Sequence, residues 1–281
     1  MTTSEKTRRS VSEIYESHPL TADSVLRRVK MTAPARIEVC EDDLAYDPVY
    51  GITDQNHIGG AEFVLAMGEL LGLSSGAKVL DLGSGLGGPA RLLSQELGAQ
   101  VTGIEANEQR YKDAQLLTEL TKVSGVCFQH GDFWDVPVKH GAFDVLWGQG
   151  TWNHVSEKQH FLERWLPALR AGGRIACEEV FLFPGPACSE EQGVPMEELR
   201  RIWQVEFLTS SEWLAIFSAL HLEVLAFVDM SYKMEAYCRE LAALTRNWPG
   251  WLESETTGLE IAATLVAEGV LGCFRTIVRK S

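Results

Sequence analysis

No apolar run in the chain reaches the roughly eighteen residues that a membrane-spanning helix needs, so a spanning helix is not expected. Positive charge is scarce: 25 Lys and Arg stand against 39 Asp and Glu, a formal net charge of −14. Nucleic acids and anionic membranes are held through clustered Lys and Arg, so neither is expected as a partner. Cysteine is sparse too. Cys40, Cys127, Cys177, Cys188, Cys238 and Cys273 are scattered, with none of the close spacings of zinc or redox sites, and no metal is expected. The N-terminal MTTSEKTRRS has no apolar stretch of the secretory type, which with the scattered thiols implies a reduced, cytoplasmic protein. Internal repeats and low-complexity tracts are lacking as well.

What is present is a globular composition, 45% hydrophobic and 23% charged over 281 residues, enough for one large domain or a core with an added cap. Apolar runs at 78–82, 100–104, 126–129, 143–147, 174–181, 222–228 and 271–279 read as strands. Helical spacing over Phe63–Leu71, Pro89–Leu97, Asn107–Leu120 and Ser156–Leu169 fills the gaps between them, with Asn107 and Ser156 placed as caps. This alternation predicts an α/β fold with a Rossmann-like, doubly wound seven-stranded sheet. Thr209 is placed to cap a helix reaching Leu220, and a further helix is predicted from about Leu259 to Glu268. Residues 1–60 read as an N-terminal helical and loop lid. Residues 61–228 and 271–281 form the core, with a substrate-covering insert at 183–208 that includes a helical stretch near Met196–Trp203. Residues 229–270, with a stripe of Met230, Met234, Tyr237, Leu241 and Leu244, read as a helical cap.

The strongest local feature is Val79-Leu80-Asp81-Leu82-Gly83-Ser84-Gly85-Leu86-Gly87-Gly88. A buried strand ends at an acid and breaks into glycines that lead to a helix. Glycine lets the backbone approach a ligand closely, and the helix start offers free N–H groups. The second strand ends at Ile104-Glu105-Ala106, about twenty residues on, where an acid accepts hydrogen bonds from ribose hydroxyls. Gly83, Gly85 and Gly88 also satisfy the dinucleotide fingerprint, which keeps a nicotinamide-dependent oxidoreductase as an alternative. Three features favour another cofactor: Asp81 two residues before the first glycine, Gly131-Asp132-Phe133 after the third strand, and a closing strand in place of a second βαβαβ half.

With these motifs the sequence resembles the class I S-adenosylmethionine-dependent methyltransferases over residues ~60–280. The resemblance implies an antiparallel last strand and S-adenosyl-L-methionine as cofactor, leaving as S-adenosyl-L-homocysteine. It places Asp81, Gly83, Ser84 and Gly85 beside the methionine part and Glu105 on the ribose. Ala106 and Asn107 flank the adenine, Gly131, Asp132 and Phe133 meet its amino group and face, and Gln149 lies below the sulfonium. The loop Gln55-Asn56-His57-Ile58-Gly59-Gly60 is similar to the closing segment of sarcosine/dimethylglycine and phosphoethanolamine methyltransferases. That likeness implies Ile58 and Gly59 over the cofactor, and Tyr46 or Tyr50 near the transferred methyl, Tyr50 as a catalytic candidate.

In open α/β sheets ligands lie beyond the carboxyl ends of the strands. His154 is therefore a candidate general base, and His57, Trp152, Asn153, Glu178, Trp203 and Tyr232 are candidate substrate contacts. Acids and aromatic rings favour a cationic acceptor, so N-methylation of a small amine or amino-acid-like molecule is the leading expectation. C- or O-methylation in a specialised-metabolite pathway is the near alternative, with S-methylation behind it. A catalytically silent, cofactor-binding fold is a third class. The sequence leaves a homodimer open.

Overall fold

The computed structural model describes residues 15–183 and 190–280 of the chain. Seven strands, β1 Lys78–Leu82, β2 Gln100–Glu105, β3 Val126–His130, β4 Phe143–Gln149, β5 Leu169–Leu182, β6 Leu222–Asp229 and β7 Leu271–Lys280, form one sheet in the order β3-β2-β1-β4-β5-β7-β6. β1 to β5 pair in parallel, whereas β7 runs antiparallel between β5 and β6. Val79, Leu80 and Leu82 of β1 are all buried, as a parallel strand covered on both faces requires. The order reverses between β1 and β4, and a crevice opens there at the carboxyl ends of the strands.

Ten helices among the described residues dress the sheet: α1 Ala22–Thr32, α2 Glu41–Ala45, α3 Gly60–Leu71, α4 Gly88–Leu97, α5 Glu108–Thr121, α6 Lys158–Trp165, α7 Glu190–Trp203, α8 Ser210–Ala219, α9 Ser231–Thr245 and α10 Glu253–Ala267. None is long and apolar enough to cross a membrane. One face of the sheet packs on Trp152, Phe161 and Trp165, with Trp213 and Phe217 of α8. The other packs α3 and α4 through Val64, Met67, Leu92 and Leu93. α7, α9 and α10 share a further cluster that includes Leu199, Met234 and Ala262. Residues from Leu20 to Ile52 close on Leu86, Leu117 and Trp248.

Asn107 caps α5 by accepting from the Arg110 N–H, and Thr209 forms a capping box with Glu212 at α8. Ser156 does not cap: α6 begins after Glu157, which makes no side-chain cap bond. A 3₁₀ turn over Trp152–His154 occupies this approach instead, and buried Lys158 donates to the carbonyls of Val155 and Glu206, both at 2.8 Å. The helix also stops early. Leu166-Pro167-Ala168 tightens to 3₁₀, because Pro167 has no N–H to give. α10 begins at Glu253, ahead of the predicted Leu259, and α7 begins at Glu190 and accommodates Pro195 internally. Cys188 lies outside the described residues.

Candidate active site

The crevice holds a cavity of about 300 Å³ lined from both sides of the switch point. The glycine turn after β1 enters it at Gly83, Ser84 and Gly85. Gly83 has φ +92°, and a Cβ there would stand 2.1 Å from the Thr151 side chain, so the turn requires glycine twice over. Glu105 ties the turn to the end of β2: the N–H of Gly85 donates to Oε2 and that of Asn107 to Oε1, each at 2.8 Å. Both oxygens keep accepting capacity toward the cavity. Ala106, Asn107, Asp132, Phe133 and Gln149 line its other walls. The Asp132 carboxylate is held in place by the Trp134 N–H at 2.8 Å.

Three buried polar atoms of the lining residues have no partner, Asp81 Oδ2, Ser84 Oγ and Arg110 Nη1. The Ser84 side chain lies against Gly103 of β2. Buried polar atoms are ordinarily satisfied, so Asp81 and Arg110 call for a ligand with hydrogen-bonding groups. Burial, reinforced by the charge of Glu105, pushes the Asp81 carboxyl up to about 7 from its ordinary 3.8. A folded-state pKa above the unfolded one makes ionisation a cost that grows as pH rises from about 3.8 to about 7. Asp81→Asn is therefore expected to raise the melting temperature of the ligand-free protein, more at pH 8 than at pH 5. Each tenfold difference in proton affinity between the folded and unfolded carboxyl corresponds to about 1.4 kcal/mol. Melts giving the same change at both pH values would contradict this.

Residues 80–177 match the family model for a methyltransferase domain, and the strand order with its antiparallel β7 has no second βαβαβ half of the dinucleotide-binding kind. Residues 80–177 are thus similar to a methyltransferase domain. The chain is 30% identical to 27-O-demethylrifamycin SV methyltransferase of Amycolatopsis mediterranei over 131 residues, 46% of this chain and 48% of the relative. It is 29% identical to sarcosine/dimethylglycine N-methyltransferase of Halorhodospira halochloris over 162 residues, 56% of this chain and 55% of the relative. The chain thus spans about half the length of these curated relatives. Among solved structures, phosphoethanolamine N-methyltransferase 2 of Haemonchus contortus, in complex with S-adenosyl-L-methionine, superposes with a TM-score of 0.71 at 18% identity, covering 81% of this chain and 54% of that one.

Next to this cleft lies a second cavity of about 150 Å³, roofed by α7, α9 and α10. Tyr15, Asn56, His57, Gly150 and His154 line both cavities and form the boundary between them. His154 is oriented by its own hydrogen bonds. Nδ1 lies 3.0 Å from the Gln204 carbonyl and must donate to it, so Nε2 accepts from the Tyr15 hydroxyl at 3.2 Å. Gln204 adopts φ +51°, a left-handed backbone uncommon outside glycine, and presents that carbonyl. Burial lowers the His154 pKa and raises that of Tyr15, so the pair is a neutral imidazole facing a protonated phenol. The Arg110 guanidinium lies 4.5 Å from the centre of the Tyr15 ring. His57 is pinned between the Ile58 carbonyl and Gln55 Oε1, and burial lowers its pKa to about 4.

Asn153 and Trp203 line the second cavity, as does Ile58, which the loop resemblance places over the cofactor. Several expected site residues are elsewhere. Tyr46 is 48% exposed at the end of α2, and the Tyr50 ring packs edge-on against Trp248. Neither reaches a cavity, because residues 41–52 turn inward as a packing unit. Gly59 forms the left-handed start of α3 against Phe63. Gly131 shapes the turn after β3 by donating its N–H to the Glu105 carbonyl, without lining the cleft. Trp152 is core: it is fully buried, donates to the Leu82 carbonyl and packs on Phe161. Glu178 is consumed by Arg275 at 2.5 Å and Gln149 at 2.6 Å. Tyr232 is 69% exposed in the first turn of α9, off the inward stripe, while Tyr237 lines the second cavity.

Tyr15, Arg110, Asn56 and Glu255 line the cavities without having been expected there as site residues. Tyr15 and Glu255 carry no local signal, since each reaches the site only through long-range packing. Arg110 stands three residues past the Asn107 cap, and an inward-facing arginine in the first turn of α5 was open to inference.

Proposed function

We propose that this protein is an S-adenosyl-L-methionine-dependent methyltransferase of a small molecule bound in the second cavity. The observation that carries this reading is the meeting of two cavities at Tyr15 and His154, one polar at the strand ends and one lined mainly by apolar and aromatic side chains. The residues present suit the cofactor. Asp81 Oδ2 is an unpartnered acceptor for an amino-acid moiety, Glu105 suits vicinal hydroxyls, and Asp132 with Phe133 suits an adenine edge and face. When bound, the sulfonium supplies an activated methyl group, so the protein chiefly aligns the acceptor and excludes water. In this reading the Tyr15 hydroxyl passes its own proton to His154 Nε2 as its oxygen takes the acceptor's, and the Gln204 carbonyl stabilises the resulting imidazolium through Nδ1–H.

The acceptor atom is an amine nitrogen in this proposal, whose ammonium proton needs a base before nitrogen can act as nucleophile. A second reading, O-methylation of a hydroxyl, is favoured by a specific observation: Glu178 is paired with Arg275, and Glu179 accepts the N–H groups of Trp152 and Asn153. Both acids near the junction are thus already engaged. The test is calorimetric titration with S-adenosylhomocysteine, followed by mass spectrometry of amines and phenols incubated with S-adenosylmethionine. Glu105→Ala is expected to weaken S-adenosylhomocysteine binding by roughly 10²-fold, through lost hydrogen bonds to a charged acceptor. Unchanged affinity in that variant would sink the cofactor assignment.

A further inference from the structure

The second cavity ends away from the cleft at Glu255, in the first turn of α10. Among the described residues this carboxylate faces no permanent cation. Its neighbour is His18, whose Nε2 stands 3.8 Å away. The Leu20 N–H donates to His18 Nδ1 at 3.1 Å, so a neutral His18 carries its proton on Nε2. Burial and the charge of Arg110 lower its pKa to about 3, and it stays neutral near pH 7. Glu255 itself is desolvated among apolar groups, which pushes its carboxyl up to about 7.

A second atom points to the same need. Asn153 is 2% exposed, lines this cavity, and its Oδ1 has no hydrogen-bond partner. The cavity therefore offers two acceptors, Glu255 and Asn153 Oδ1, beside one unpartnered donor, Trp251 Nε1. Trp251 precedes Glu255 by four residues and meets His18 edge-on, while the Nε1 edge of Trp203 lies against Gly258. A desolvated carboxylate with no cation beside it suits a positively charged nitrogen. At the opposite end, beyond His18 and Tyr15, the Arg110 guanidinium sits over the Tyr15 ring. A net charge of −14 favours the approach of a cation to the second cavity.

The geometry points to a subsite at Glu255, Trp251, Trp203 and Asn153 that binds a cationic nitrogen of the acceptor molecule, remote from the atom that is methylated. The acceptor is then a two-ended molecule, with an ammonium at Glu255, an apolar middle, and a nucleophile at Tyr15 and His154. This inference rests on the second cavity being the acceptor pocket.

The experiment is binding of a matched probe series to the S-adenosylhomocysteine complex by calorimetry. The probes are ω-aminoalkyl phenols, beginning with tyramine, each paired with its ω-hydroxyalkyl counterpart, beginning with tyrosol. At least one amine is expected to bind 10-fold or more tightly than its alcohol, and Glu255→Gln is expected to abolish that preference without changing S-adenosylhomocysteine affinity. Trp251→Phe is expected to keep the preference in reduced form. No amine outbinding its alcohol, or a preference that survives in Glu255→Gln, would overturn the subsite. The same titrations without S-adenosylhomocysteine separate the two readings. Failure of the nucleoside to bind removes the cofactor assignment, while the discrimination between probes still decides the subsite.

Discussion

Replacing His154 by alanine is expected to lower kcat by roughly 10²–10⁴-fold, the usual contribution of a positioned general base, with S-adenosylhomocysteine affinity changed little. Nε2 is the imidazole atom free to take a proton, because Nδ1–H is committed to the Gln204 carbonyl. The affinity should survive because the cofactor contacts proposed above come from the β1 and β2 turns and from the 132–133 turn, on the other side of the cleft. Tyr15→Phe keeps the ring between the cavities and over Arg110 but removes the hydroxyl that His154 accepts from. It should fall between the wild type and His154→Ala. The pH profile carries a further signature. Burial holds the His154 pKa below its ordinary 6.5, and a base works only when neutral. The acid limb of kcat is therefore expected below pH 6.5, the ordinary histidine value, with no loss between there and neutrality. A wild-type limb centred above neutrality, or an alanine variant with unchanged kcat, would remove His154 from the proton transfer.

Arg91→Met is expected to destabilise the protein by about 3–5 kcal/mol, the scale for removing one partner of a buried ion pair. Arg91 of α4 is fully buried. Its Nε donates to Glu41 Oε2 at 2.8 Å and its Nη2 to Asp54 Oδ2 at 2.5 Å, while Nη1 reaches the Leu86 carbonyl and Thr118. Without the guanidinium, two carboxylates would be stranded in the interior. Glu41 is already pushed up to about 8 by burial and by the neighbouring Asp54. At roughly 2–4 °C per kcal/mol for a chain of this size, the melting temperature should fall by on the order of 10 °C. Combining Arg91→Met with Glu41→Gln and Asp54→Asn should recover part of the loss, because the stranded charges go as well. A melt within about 2 °C of wild type in the single variant, less than 1 kcal/mol on that scale, would mean that the network contributes little.

This network bears on the N-terminal segment. Asp54 Oδ1 accepts from Gln55 Nε2, and Gln55 Oε1 meets His57 Nε2, so Arg91 is joined by a chain of side-chain contacts to a residue lining both cavities. From sequence, residues 1–60 are expected to be a lid over a separate core. The structure makes 41–54 part of the fold, since deleting them would leave Arg91 buried and unpaired. Truncation is thus expected to unfold the chain rather than merely expose the cleft.

The sheet and the cofactor cleft were legible because their signals are local. A parallel strand covered on both faces is mostly apolar, as Val79, Leu80 and Leu82 are, and a tight turn at positive φ favours glycine, as at Gly83. An acid at the end of β2 falls at the switch point by topology alone, which is why Glu105 could be placed from spacing. The second cavity was not legible in the same way. It is assembled from Tyr15, Asn153, Trp203, Tyr237 and Glu255, drawn from five separate stretches, and no periodicity relates them. Trp152 shows the limit most plainly. It neighbours Asn153 in a motif dense in polar groups, yet the 3₁₀ turn sends the indole under the glycine loop and leaves Asn153 to line the cavity. Tyr46 and Tyr50 likewise lie away from the cavities, exposed and against Trp248, whereas Tyr15 lines both. Sequence determined the succession of strands and helices and the glycine turn after β1 through requirements of adjacent residues. Tertiary structure decided which of many polar and aromatic side chains face one another across the second cavity, because burial and charge pairing act between segments far apart in the chain.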